Sequence, residues 1–175
     1  MTAAEVYELT TQGGATDFAR LIRACESFGP YCLIGGLAVN CYVEPVYTLD
    51  ADLVVVSSSL DNLRAHLEDH GFKTDIHQHS VNALAAGSDL RIQFTTDQRY
   101  QAFLPRAVQA EVLGIRVNIA SLEDVTQGKL WAFTDPRRRL SKRKKDELDL
   151  IRLAEAYPRL KSVLPQDLQD QIENG

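Results

Sequence analysis

The sequence predicts an α+β (mixed α/β) fold, a mixed sheet flanked by helices and joined to a C-terminal helical unit. Three observations predict it. Up to residue 71, helix-spaced apolar runs alternate with short strand-like runs; residues 72 to 119 switch to period two; from Ser121 onward the spacing is helical again. The expected organisation is a sheet domain over 1–119 with a helical unit over 120–175 packed on it.

Each element has a local reason. "TDFARLIRACESF" (16–28) places Phe18, Leu21, Ile22 and Cys25 at helical spacing, and Gly29-Pro30 ends that helix. "YCLIG" reads as a short strand, and "GLAVNCYV" as a helix opening at the glycine pair Gly35-Gly36. Leu49 to Val56 is a Val-rich run too short for a typical helix, hence a buried strand. "LDNLRAHLEDHGF" aligns Leu60, Leu63 and Leu67 on one helical face, with Gly71 as C-cap. "FKTDIHQH", "DLRIQFTT", "AVQAEVLG" and "IRVNIA" read as strands, the last two joined by a tight turn. Ser121 caps a helix through Lys129, with Asp124 in the position of a capping-box acid. A longer helix follows Asp135-Pro136 and stops at Pro158; a short one covers 165–173.

Composition limits the function classes. With 45% hydrophobic residues the chain can bury a core. No apolar run approaches the ~20 residues of a membrane span, and the N-terminus does not read as a secretory signal. Cys25, Cys32 and Cys41 are odd in number and lack metal-ligand spacing, so reduced thiols and a cytoplasmic location are expected. The net charge of −5 hides an asymmetry: seven of nineteen basic residues lie between Arg137 and Lys145, leaving 12 basic against 24 acidic residues elsewhere. One basic segment on an acidic body points to a local anion site.

The chemistry concentrates in "IGGLAVNCYVEPVYTLDADLVVV". Side chains alternate along a strand, so Asp50 and Asp52 project from one face and can converge on one cation. Mg²⁺ takes one or two carboxylates together with phosphate oxygens and water. Gly35 and Gly36, 14 to 17 residues upstream, follow a strand and let the backbone approach a phosphate closely. Glycine pair, helix and acidic strand in this order make a coherent triphosphate site.

These residues resemble the signature of the polymerase-β-like nucleotidyltransferase superfamily. The tail "VNIASLEDVTQGKLWAFTDPRRRLSKRKKDELDLIRLAEAYPRL" is similar to the end of AbiEii-type toxins and related bacterial proteins, so the resemblance spans about residues 31 to 160. It implies a Mg²⁺-dependent transfer of NMP from an NTP to an acceptor hydroxyl, on tRNA or a protein, with an antitoxin-like partner. Gly35 and Gly36 would hold the phosphates, Asp50 and Asp52 the metal, and Lys129 the triphosphate, with Asp146 and Asp149 in support.

Two departures bear on turnover. The resemblance implies a third carboxylate on a neighbouring strand, where "SDLRIQF" offers Gln93, which takes no proton; Asp89 shares its side if the strand is regular. The arginine expected between glycine and acidic pairs is replaced by Val46-Tyr47-Thr48. The alternative is therefore a degenerate nucleotidyltransferase-fold protein serving as nucleotide sensor or protein-binding partner. A further reading has residues 137–145, spread round a helix, contacting a nucleic-acid backbone. His77 and His79 lack a third ligand and read as solvent-facing.

Overall fold

The computed structural model describes residues 1–175. Seven strands form one mixed sheet: β1 (Tyr31–Ile34), β2 (Asp50–Val55), β3 (Phe72–Ile76), β4 (Ser80–Ala85), β5 (Arg91–Thr95), β6 (Val108–Val112) and β7 (Ile115–Ile119). Their order is β3-β4-β5-β2-β1-β7-β6. The β2–β5 and β1–β7 pairs are parallel and the rest antiparallel. Helices α1 (Ala3–Thr10), α2 (Gly14–Ser27), α3 (Gly35–Val39), α4 (Leu60–Asp69), α5 (Leu122–Thr134), α6 (Leu140–Ala156) and α7 (Gln166–Asn174) surround it.

The core explains the middle of the sheet. β1 is buried throughout, as are Ala51, Leu53, Val54 and Val55 of β2. Each buried Leu, Ile or Val here stabilises the fold by about 1.5–3 kcal/mol. In β2 only Asp50 and Asp52 remain partly exposed, so the first half of the strand has one open face and the second half has none. A main core of 35 residues joins the sheet to α2, α4 and the start of α5, while Leu130, Leu150, Ala154, Leu164 and Leu168 form a smaller cluster among α5, α6 and α7. No helix is long and apolar enough to cross a membrane.

Several elements differ from the sequence expectation. The helix opened by the glycine pair ends at Val39, not near Val43. Cys41 and Tyr42 make i→i−3 turns, and Glu44-Pro45 blocks further helix. The Asn40 side chain then clasps Val46, donating to its carbonyl at 2.7 Å and accepting from its N–H at 3.0 Å. Strand β4 was not expected, because its inward residues include Ala83 and Ala85, weak strand formers, while Leu84 faces outward. Helix α1 was also missed, although Thr2 and Glu5 form a complete capping box. At α5, Asp124 donates its N–H to Ser121 Oγ at 3.2 Å, but its carboxylate binds Arg106 at 2.8 and 2.9 Å instead of returning to the cap. The long tail helix starts at Leu140, so Arg137, Arg138 and Arg139 precede it.

Candidate active site

A cleft of ≈ 230 Å³ lies between the carboxyl end of β1, the amino end of β2 and the facing surfaces of α5 and α6. Its floor is the contact of Gly35 with Asp52. Gly35 has φ +69°, and a Cβ there would overlap the Asp52 carboxylate and stand 3.0 Å from its Cβ. Glycine is required twice, for the left-handed backbone and for the close approach. Gly36 continues the bare backbone past Thr48, leaving ordinary contact distances around 3.6 Å.

The two aspartates share a face but not an environment. Asp50 is held at both oxygens, by Arg91 Nε at 2.8 Å and Lys142 Nζ at 3.0 Å. Burial pushes the Asp50 carboxyl up, but Lys142, with Arg91 and Lys145, outweighs it and holds the pKa below the ordinary range. Asp52 has no ion-pair or hydrogen-bond partner. Burial pushes its pKa up to about 6, with Lys129 opposing and Asp50 adding to the rise. An unpartnered carboxylate beside a paired one is an unmet demand for positive charge.

The opposite wall is a charge lattice. Lys129, 11% exposed, sits 3.0 Å from Asp146 and 2.8 Å from Asp149. Burial opposes its charge, yet the two aspartates hold its pKa above the ordinary lysine value. Arg138 binds the other oxygen of Asp146 at 2.6 Å, and Arg152 binds Asp149 at 2.8 Å while also donating to the Glu44 carbonyl. Tyr157 donates to the Tyr42 carbonyl at 3.0 Å, so the loop between α3 and β2 is fastened to α6.

Asp50, Asp52, Gly35, Gly36, Lys129, Asp146, Asp149 and Gln93 all line this one cleft. Gln93 is exposed and in register with Asp52 on the adjacent parallel strand β5. Asp89 does not join them. Strand β5 begins only at Arg91, and Asp89 instead donates its N–H to Thr11 and accepts from Gln12 at 3.1 Å. His77 and His79 are exposed beyond β3, His77 pairing with Asp75 at 3.0 Å. Cys25 and Cys32 are buried and their thiols are pushed upward by that burial, Cys32 to about 12.

Sequence reasoning missed the cleft-facing cations Arg138, Lys142, Lys145 and Arg152, and Arg91 on the far side of Asp50. The signal was present. Positions 142, 145, 149 and 152 follow helical spacing along α6, and all four line the cleft together with Arg138 from just before the helix. The basic run is thus divided: Arg138, Lys142 and Lys145 face the site and the other four do not.

No family model and no curated protein matches the chain. The fold is shared with solved structures of nucleotidyltransferase-like proteins. The chain is similar to ANT(2″)-Ia in complex with adenylyl-2″-tobramycin, with TM-score 0.59 and 15% identity over 91% of this chain and 97% of that one. It is similar to an antigenic nucleotidyltransferase-like protein from Paracoccidioides brasiliensis, with TM-score 0.57 and 21% identity over 92% and 86%. A solution structure of ANT(2″)-Ia gives TM-score 0.52 and 15% identity over 90% and 89%.

Proposed function

We propose that this chain transfers a nucleoside monophosphate from an NTP to an acceptor hydroxyl. The observation that carries the reading is the packing of Gly35 on Asp52, with Asp50 two residues away on the same face of one cleft. A divalent cation fits these residues. Asp52 is a carboxylate without a partner, and no cluster of three or more His, Cys, Asp or Glu ligands exists, so phosphate and water would complete the shell. When bound, Mg²⁺ at Asp50 and Asp52 supplies charge neutralisation at the α-phosphate and the departing pyrophosphate.

The chain's residues then divide the work. Gly35 and Gly36 present backbone without side chains to the phosphates. Lys129 uses two of its three ammonium donors on Asp146 and Asp149, leaving one for the triphosphate. Asp146 and Asp149 hold Lys129, Arg138 and Arg152 in place. The acceptor oxygen forms its bond to the α-phosphorus as the bond to pyrophosphate breaks. Gln93 can orient the acceptor hydroxyl but takes no proton, which leaves to solvent.

The fold likeness to ANT(2″)-Ia, seen with adenylyl-2″-tobramycin, supports adenylyl transfer as one version of this chemistry. The tail resemblance supports a cytoplasmic acceptor, tRNA or protein, and an antitoxin-like partner. A second reading, a nucleotide sensor or protein-binding partner without turnover, is favoured by Gln93 in register with Asp52. Incubation with each α-³²P-labelled NTP, Mg²⁺ and either total tRNA or cell protein tests both. Label transfer lost in Asp50→Asn/Asp52→Asn supports the enzyme; transfer that survives the double substitution overturns the site. Nucleotide binding without transfer supports the sensor.

A further inference from the structure

The cations on Asp50 have a consequence for how the site loads, and it rests on the nucleotidyltransferase reading. Each Asp50 oxygen already faces a positive charge, Arg91 Nε at 2.8 Å and Lys142 Nζ at 3.0 Å. A Mg²⁺ ion sits about 2.0–2.1 Å from a carboxylate oxygen. Binding it there would crowd like charges within a few ångströms. Withdrawal of one cation relieves that repulsion when the metal enters.

The two differ in where release would take them. Arg91, in register with Asp50 on β5, has the more exposed side chain at 59%, but it lies outside the cleft lined by Gly35, Gly36 and Lys129, so on release it leaves the site. Lys142 reaches across from the first turn of α6, 92 residues away in sequence, on a flexible four-carbon stem, with its side chain 34% exposed. It lines the same cleft as Gly35, Gly36 and Lys129, so once released its ammonium remains within the triphosphate's space.

We propose that Lys142 is an exchangeable place-holder for the divalent cation at Asp50, released by the metal to become a triphosphate-binding residue. Charge is balanced in both states: ammonium with carboxylate before loading, metal with carboxylate and ammonium with phosphate after it. Metal and nucleotide then bind cooperatively, because each favours the released lysine. Lys129 cannot play this part, being fixed between Asp146 and Asp149.

Mn²⁺ titration followed by electron paramagnetic resonance tests the exchange without requiring turnover. Wild type, Lys142→Met and Lys145→Met are compared, first alone and then with a non-transferable α,β-methylene NTP. Lys145 lines the cleft without touching Asp50, so its variant measures the long-range loss of one positive charge. Without nucleotide, Lys142→Met is expected to bind Mn²⁺ about fivefold more tightly than wild type, and Lys145→Met within about twofold of it. The analogue should bind Lys142→Met about tenfold more weakly, and should raise its Mn²⁺ affinity less than it raises that of wild type. Equal Mn²⁺ affinity in wild type and Lys142→Met, or an equal gain in both variants, overturns the place-holder. Mn²⁺ competition by Lys142 in a protein that neither binds nor transfers any NTP overturns the nucleotidyltransferase reading while the exchange stands. No Mn²⁺ binding by any of the three overturns both.

Discussion

Gly35 lies so close to Asp52 that a single methyl group on its α-carbon would collide with the carboxylate. Gly35→Ala must therefore move either the strand or the acid, and it must also hold an L-residue at φ +69°. The expected cost is about 1–3 kcal/mol in urea unfolding. Mn²⁺ affinity should fall in the same variant, because the displaced group is a proposed ligand. Unchanged stability and unchanged Mn²⁺ binding would contradict the contact.

Asp52 makes stability depend on pH in a stated direction. Its carboxyl is raised from 3.8 to about 6 by burial, so the metal-free folded chain binds more protons than the unfolded chain between those values. That contribution is fully present below the lower value and is lost as pH rises through the upper one. Asp50, whose pKa is lowered, acts oppositely: its contribution is present at neutral pH and lost on acidification. Asp52→Asn should accordingly be more stable than wild type by up to about 2–3 kcal/mol near pH 8 without metal, with the gain vanishing at low pH. The burial of Leu53, Val54 and Val55 exceeds this penalty, which is why β2 tolerates it. Thermal melts across pH, with and without Mg²⁺, check the sign; Mg²⁺ should stabilise wild type and not the variant.

Lys129 is the hub of a buried lattice, and its removal leaves Asp146, 1% exposed, and Asp149 short of one cation. Lys129→Met should cost about 3–5 kcal/mol, as breaking buried pairs does. Arg137, exposed and paired only with Asp135, serves as the contrast: Arg137→Ala should leave the urea midpoint where it is. Equal midpoints for Lys129→Met and wild type would mean that the lattice contributes nothing to folding.

On the proposed transfer chemistry, Gln93 is the position where the rate can be raised. It is exposed and in register with Asp52, so Gln93→Asp introduces a proton acceptor beside the site, at the cost of one more like charge opposite Asp52. If proton removal limits the reaction, the rate of label transfer should rise about tenfold or more and acquire a dependence on one acidic group. A rate that falls or stays level would place the limit elsewhere in the cycle.

The large features of the fold were legible because each has a short-range cause. Phe18, Leu21, Ile22 and Cys25 announced α2, and all four are buried. The Val-rich run after Asp52 announced β2, and Ser121 announced α5. Strand β4 escaped because alanine fills its inward positions, and α3 was overextended because the Asn40–Val46 clasp joins residues whose pairing no periodicity encodes. Asp89 was misplaced for a related reason. Its backbone N–H is bonded to Thr11, in a different part of the chain, just before β5 begins at Arg91.

By itself, then, the sequence determined the stretch from Gly35 to Val55: a glycine pair, a helix, and a strand whose two acids share a face. That information is local, since alternation along a strand and the freedom of glycine operate within a few residues. Only the tertiary structure decided what meets those acids. The bare α-carbon of Gly35 rests on Asp52, while Lys142, from the far end of the chain, rests on Asp50. Which carboxylate is neutralised and which is left unpartnered is settled by the packing of α6 across the cleft. Long-range charge pairing has no period in a sequence, so only the fold shows that Arg138, Lys142 and Lys145 of the basic run form a wall of the site.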